Sequence, residues 1–367
     1  MRIAVIGIGT VGVQAAYQLA RRGIEVVGYE QYPIGHAAGG AGGDSRLFSR
    51  VELNDPRYSL LIERAEAIWR RLNERTGASL LTFTGGLVMG DPSLDPVRRA
   101  IESCELTSSP QVLSRGELER RFPEIRMNPG EVVLFDPNAG RIDPELSVVL
   151  TGRLAEAYGA ELRPGTAVQA IESRAAGVGV RDAEGWQTYD RVVVAAGAWT
   201  GKLLGGAVPE LTVRRLTSAW YFPSEAARFE SFVPFIRLMP DYIYGLPSAD
   251  GRAVKLGLGY DSHLPVDDPD ATERWLRPGE GVGEFALLVE KYLPGLAPEP
   301  FRVETYYETY TPQRREYICE LPEDERVLVL TGFSGHGFKV SPAVGELVAE
   351  WAQGEQSRYP SDLFLDL

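Results

Sequence analysis

Three glycines and one acid at fixed spacing carry the first chemistry in this chain. Gly7, Gly9 and Gly12 form G-x-G-x-x-G, and Glu30 ends the strand that follows the next helix. That pattern suits a pyrophosphate-linked dinucleotide. Gly7 lets a strand turn sharply, Gly9 lets backbone approach phosphate, and Gly12 brings helix and sheet together. The helix N-terminus turns free N–H groups and a positive dipole end toward the phosphates. Glu30 accepts hydrogen bonds from ribose hydroxyls. A lone motif of this kind also fits a tight strand–helix turn with no ligand. It does not separate FAD from NAD.

The elements around the motif favour the dinucleotide. Ile3 to Ile6 read as a buried strand, Val11 to Arg22 as a helix stopped by Gly23, and Ile24 to Tyr29 as a second strand. A glycine-rich loop, QYPIGHAAGGAGGDSR, comes next and is too long for a mere connection. Asp55-Pro56 and Asp143-Pro144 each read as an N-cap followed by proline in the first turn, starting helices that Gly77 and Gly159 end. Residues 80–135 alternate short strands and short helices. Asp182 to Gly185 read as a hairpin turn, and Arg191 to Gly197 as a buried strand running into AAGAW. Residues 214–300 have aromatic, antiparallel texture, with a turn at Ser248-Ala-Asp-Gly and an acidic loop at 266–275. From 327 a buried strand, a glycine-rich turn (FSGHGFKVSP) and an amphipathic helix over 343–353 return to the opening texture. Parallel texture at both ends and in the middle, interrupted twice, predicts two interleaved domains with a ligand crevice between them.

Composition narrows the class. The 367 residues carry a formal charge of −13 and a pI near 4.9, which argues against a nucleic-acid groove and against anionic lipid. Two cysteines give no disulfide framework, and no apolar run is long enough to span a membrane. Three histidines, none near a second histidine or a cysteine pair, argue against a metal site. A soluble cytoplasmic protein is expected, with a monomer favoured although nothing fixes the oligomeric state.

Taken together, several stretches resemble the flavoprotein amine oxidases of the monomeric sarcosine oxidase and N-methyltryptophan oxidase type, in the D-amino-acid oxidase superfamily. They are GIGTVG with Glu30, GGDSR at 42–46, VVVAAGAW at 192–199, YGLP at 244–247 with KLG at 255–257, and GFSGHGFKVSPAVGE at 332–346. The resemblance runs nearly end to end. It implies an α/β fold in which a Rossmann-type FAD-binding domain (1–79, 143–213 and 302–367) is interleaved with an α+β substrate domain on an antiparallel sheet (80–142 and 214–301). FAD contacts are implied for Gly7, Gly9, Thr10, Val11, Gly12, Glu30 and Gln31, and for Gly43, Asp44, Ser45 and Arg46. Further contacts are implied for Val168, Ala196, Gly197 and Trp199, and for Gly335, His336, Gly337, Phe338 and Lys339. The implied reaction passes a hydride equivalent from the carbon beside a deprotonated amine to the flavin. The imine then hydrolyses, and oxygen is reduced to hydrogen peroxide. Lys255 falls on the lysine that promotes the oxygen reaction. Arg46 falls on the arginine beside the flavin, Lys339 on the lysine that grips a substrate carboxylate, and Tyr244 on a tyrosine of the substrate pocket.

The chain departs from the family in three places. The cysteine that links flavin covalently falls at Tyr306 or Tyr307, and Cys319 lies too far along to replace it, so non-covalent FAD is expected; His36 is the alternative link. The second carboxylate ligand, an arginine in the family, falls at Ser49, with Arg50 next to it and on the opposite strand face. The family's Ser-His pair becomes part of Gly40-Ala41-Gly42, and Phe235 stands where a smaller residue lines the pocket. Ser49, Arg50 and Phe235 are therefore expected in a reshaped substrate site. They point to a substrate that is larger, esterified or not a simple amino acid. The other readings are a 2-hydroxy acid oxidase, a dehydrogenase with a carrier as acceptor, and a flavin-binding subunit without turnover.

Overall fold

The structure is a computed structural model describing residues 1–367 apart from 54, 108, 109, 209, 225–228, 230, 231, 274, 275, 277, 278, 366 and 367. The last two residues of the expected acidic loop, 274 and 275, thus lie outside the described residues. Arg2–Ile6 pairs in parallel with Glu25–Glu30 on one side and Arg191–Val194 on the other. All three strands are apolar on both faces, as a parallel sheet covered on both sides requires. Asp324–Thr331 and Glu161–Pro164 extend the sheet in parallel, and Tyr317–Leu321 closes one edge antiparallel.

Helices cover one face of this sheet. Gly12–Arg21 packs against Gly337–Gln353 and Pro144–Ala157, and Ser59–Thr76 lies beyond. Their shared core includes Ala15, Ala16, Ile62, Trp69, Val344 and Val348. A three-stranded meander, Ala170–Arg174, Gly177–Asp182 and Gly185–Tyr189, covers the other face. The Asp182 carboxylate makes its turn by accepting from the amides of Glu184 and Gly185. Both expected caps form: Asp55 accepts from Arg57 N and Asp143 from Leu146 N.

A second, nine-stranded sheet is antiparallel apart from the parallel pair Gly86–Gly90 with Phe235–Arg237. Its longest ladder joins Thr212–Tyr221 to Arg302–Tyr310. The strand 302–310 was expected with the first sheet; its ladder to 212–221 puts it in the second, and the chain rejoins the first sheet at Tyr317. A third, small sheet of Arg46–Phe48, Gly140–Ile142 and Leu81–Phe83 bridges the two. Leu81–Phe83 and Gly86–Gly90, two of the short strands expected in residues 80–135, belong to different sheets.

The last helix starts six residues before its expected position and contains Pro342. A proline there leaves the carbonyl four residues back without its amide donor. The Ser341 hydroxyl takes that role, donating to Phe338 O at 2.9 Å, so the helix runs through. Ser341→Ala should leave this buried carbonyl under-satisfied and cost about 1–2 kcal/mol, seen as a lowered urea midpoint with an unchanged slope.

Candidate active site

Two cavities lie along the line where the large sheets meet. The smaller, about 380 Å³, is walled by the opening motif. Gly7 has a φ of +89°, and a Cβ there would meet Ala195 O at 2.4 Å; one on Gly12 would meet Gly7 O at 1.8 Å. A Cβ on Gly9 would meet nothing within 4 Å. Two glycines therefore serve the protein's own packing, and the third opens the cavity to a ligand. Glu30, nearly buried, accepts from Ile8 N at 2.9 Å and Tyr32 N at 3.0 Å, which fixes its carboxylate in the wall.

Thr10, Val11, Gln31, Val168, Ala196, Gly197, Trp199, Gly335, Gly337 and Phe338 line the same cavity, whereas Gly12 packs behind it. The Oγ1 atoms of Thr10, Thr309 and Thr331, also in this wall, are buried without a hydrogen-bond partner. Buried hydroxyls in that state are rare. Together with the helix N-terminus and the acid, they form a donor and acceptor set that fits an elongated dinucleotide. Asp270, from the acidic loop, closes the far wall by accepting from Trp199 Nε1 at 2.7 Å and Lys202 Nζ at 2.5 Å.

The larger cavity encloses about 1010 Å³ and shares Arg46, Glu308, Ser334, Gly335 and Phe338 with the smaller. Ser45, Ser49, Tyr244, His336 and Lys339 line it. Lys255 lies behind that wall with no exposed surface, donating from Nζ to Ser45 O at 2.8 Å. Burial, and then the Arg46 guanidinium, push its ammonium pKa well below the ordinary lysine range. Gly43 passes so close that a Cβ would meet Lys255 Nζ at 3.1 Å. Asp44, at φ 67°, accepts from Trp220 Nε1 at 3.1 Å. Arg46 donates to Ser45 O and Gly40 O and stacks over Tyr306 at 4.7 Å. Burial works against its charge, yet Tyr306, Tyr244 and Glu308 hold its pKa above the ordinary arginine value. Burial and the neighbouring Tyr306 hold Tyr244 as a neutral phenol, its pKa far above the usual range.

Three expected substrate residues are engaged elsewhere. Ser49 lines the cavity but donates to Asp136 at 3.2 Å, and Arg50 turns away to Glu66 at 2.7 Å. Phe235 lines neither cavity: it is buried in the second sheet's core, edge-on to Phe232 and packed where Gly245 leaves room. Glu52 and Glu308 are cavity residues that sequence reasoning missed. Glu52 lies in an irregular stretch with no periodic signal. Glu308 was legible in principle, because alternation along ETYYETY puts Tyr306, Glu308 and Tyr310 on one face.

Lys339 Nζ donates to Glu52 at 2.7 Å, and His336 Nε2 lies 3.0 Å from Glu316, which also accepts from Tyr58 OH at 2.8 Å. Burial disfavours the imidazolium, but Glu316 outweighs it and raises the His336 pKa.

Fold and cavities together are those expected of a dinucleotide-binding protein with a second, larger cavity beside the first. The family model for FAD dependent oxidoreductases matches residues 2–351, and the chain belongs to that family. It is 30% identical to a monomeric sarcosine oxidase of Streptomyces avermitilis over 99% of this chain and 96% of that one. It is also 30% identical to an N-methyl-L-tryptophan oxidase of Yersinia pestis, over 97% and 95%. In fold it is similar to the open form of NikD, an unusual amino acid oxidase essential for nikkomycin biosynthesis. That match has a TM-score of 0.84 at 24% identity and covers 98% of this chain and 95% of that one.

Two outcomes test the site. Gly12→Ala should destabilise the protein by about 1–3 kcal/mol through overpacking, while Gly9→Ala should leave stability unchanged and weaken flavin retention; thermal unfolding and the FAD content of purified protein separate them. For His336, a raised folded-state pKa means stabilisation that is full below the ordinary histidine value and lost as pH rises through the raised one. The stability gap between wild type and Glu316→Gln in urea should therefore shrink as pH rises from about 6 toward about 9.

Proposed function

We propose that this protein is an FAD-dependent oxidase of secondary amines or N-substituted amino acids. The observation that supports it best is the junction of the two cavities, where Arg46, Glu308 and the 334–338 turn face both. A nucleotide-bound ring reaching that junction would meet substrate on one side and the Lys255–Gly43 contact close by. FAD held there would supply the two-electron chemistry, coupling oxidation of the amine to an imine, which water hydrolyses, to reduction of O2 to H2O2.

The chain's own residues bind, orient and exclude water. Thr10, the helix N-terminus and Glu30 hold phosphates and ribose. Arg46, kept cationic by its neighbours, sets a positive potential at the junction that favours loss of a proton from the substrate ammonium and stabilises developing negative charge. Lys255 adds a second basic group; burial and then Arg46 lower its pKa, and negative charge developing nearby would favour its protonated form. The leucines and tyrosines of the larger cavity keep the amine desolvated.

The cofactor is held without a covalent bond. Tyr306 hydrogen-bonds Ser218 at 2.6 Å, and Cys319 pairs with Val329 in the first sheet and lines neither cavity. His36 lines the dinucleotide cavity, but its Nδ1 accepts from Ala38 N and its Nε2 approaches Glu30 at 3.4 Å. Neither Cys104 nor Cys319 forms a disulfide, which suits a reducing compartment. No described helix is long and apolar enough to cross a membrane.

Acid precipitation of the purified yellow protein should release FAD into the supernatant, and N-methyl amines should bleach the flavin anaerobically and yield peroxide in air. Lys255→Met should slow reoxidation by oxygen about 100-fold while leaving anaerobic reduction by amine much less affected, which stopped-flow absorbance resolves. Bleaching by hydroxy acids alone would replace this reading with the hydroxy acid oxidase.

A further inference from the structure

We propose that Glu52 sets substrate choice in the larger cavity: it occupies Lys339 as an internal ion pair, so the site selects bulky amines bearing a neutral hydrogen-bonding group, such as an amide or ester, over those with a free carboxylate. The inference rests on the amine-oxidase reading and on Lys339 facing the substrate.

The pair is almost fully enclosed. Lys339 Nζ and Glu52 Oε2 lie 2.7 Å apart, with side chains 13% and 2% exposed, and both residues line the cavity. The other Glu52 oxygen accepts from Leu53 N at 3.0 Å, and the Glu52 backbone N donates to Ser103 Oγ at 3.0 Å, so both the carboxylate and the backbone that carries it are tied down. A substrate carboxylate reaching Lys339 must either share one ammonium with Glu52 or displace it. Sharing sets two anions against each other at a wall where the Glu52 side chain is only 2% exposed. Displacement strands Glu52 as a buried charge, among the most destabilising changes a protein interior can undergo. An amide or ester meets neither obstacle, because its N–H can donate to Glu52 or its C=O can accept from Lys339.

Of the neighbouring cations, Arg50 is paired with Glu66 and Lys291 with Asp241, and Arg46 donates to two carbonyls and lies over the Tyr306 face; Arg99 and Arg314, the latter stacked over Tyr260, also line the cavity. The volume of about 1010 Å³ and the apolar wall of Leu216, Leu238, Leu258 and Leu288 suit a bulky group. Specificity here comes as much from the repulsive element as from the attractive one.

The test uses FAD-loaded enzyme and two ligands that differ only at one group, N-methyltryptophan and its primary amide. Equilibrium binding is read by perturbation of the flavin spectrum under anaerobic conditions, and kcat/KM by peroxide release. Wild type should favour the amide by about 10-fold or more, and Glu52→Gln should erase or reverse that preference by improving the acid. Preference of wild type for the acid, a ratio unmoved by Glu52→Gln, or failure of the amide to bind overturns the proposal. The wild-type ratio is decisive on its own even if the variant does not fold. If both ligands bind and neither reduces the flavin, the oxidase reading fails while the binding ratio still decides the role of Glu52.

Discussion

Lys255 places an ammonium where no water reaches, and its single strong contact, to Ser45 O at 2.8 Å, ties the antiparallel sheet to the glycine-rich loop of the nucleotide-binding half. A charge in such a place is tolerated only when its surroundings are arranged around it. Here the faces of Tyr306 and Trp220 lie at 5.5 and 5.8 Å, and Glu145, Asp44 and Glu308 favour the cation from further off. They do not offset the burial, so the ammonium remains easy to deprotonate. Holding it in this balance requires the loop to be fixed. Asp44 takes the Trp220 indole, Arg46 bonds back to Gly40 and Ser45, and Gly43 has no side chain because none would fit. The relative placement of the two sheets thus follows from one buried lysine and the loop folded over it.

A second constraint comes from the strand Arg302–Tyr310. Paired along its whole length with Thr212–Tyr221, it stands as a partition. Side chains alternate across it, so Tyr306 and Tyr310 face the larger cavity, Tyr307 and Thr309 face the smaller, and Glu308 reaches both. Any twist of this strand moves the walls of both cavities together. That suits a reaction in which two molecules must meet with correctly aligned orbitals.

What could be read from the sequence divides along the range of the interactions involved. The dinucleotide turn was legible because every group it needs lies within the first thirty residues and each glycine has a local reason. The Asp55 and Asp143 caps were legible on the same ground. The sheet membership of 302–310 was not, since an alternating strand looks alike wherever it pairs. Nor were the partners of Ser49, Arg50 and Lys339, which lie 87, 16 and 287 positions away. Phe235 shows the limit of reasoning by correspondence: the resemblance implied a pocket position, but the ring turns into the core of the second sheet. Pro342 hid the true start of the last helix, because the compensating Ser341 bond is invisible without coordinates.

The ion pairs of the interior separate by what they touch. Arg237 with Glu131 is buried under the second sheet, lines neither cavity, and is held further by Tyr292 and the Arg126 carbonyl. Lys339 with Glu52 stands at the cavity wall and binds the start of the last helix to the segment after Arg46, while His336, also in the wall, reaches back to Glu316 just before Tyr317–Leu321. A buried pair gains little over well-packed apolar side chains of the same volume, so stability alone gives weak reason to keep one. Its distinctive property is that it answers to charge: an anion or cation entering the cavity changes its balance, and an apolar contact would not. Such a pair in the wall would answer to the charge of whatever enters the cavity, while the leucines and tyrosines around it respond mainly to shape.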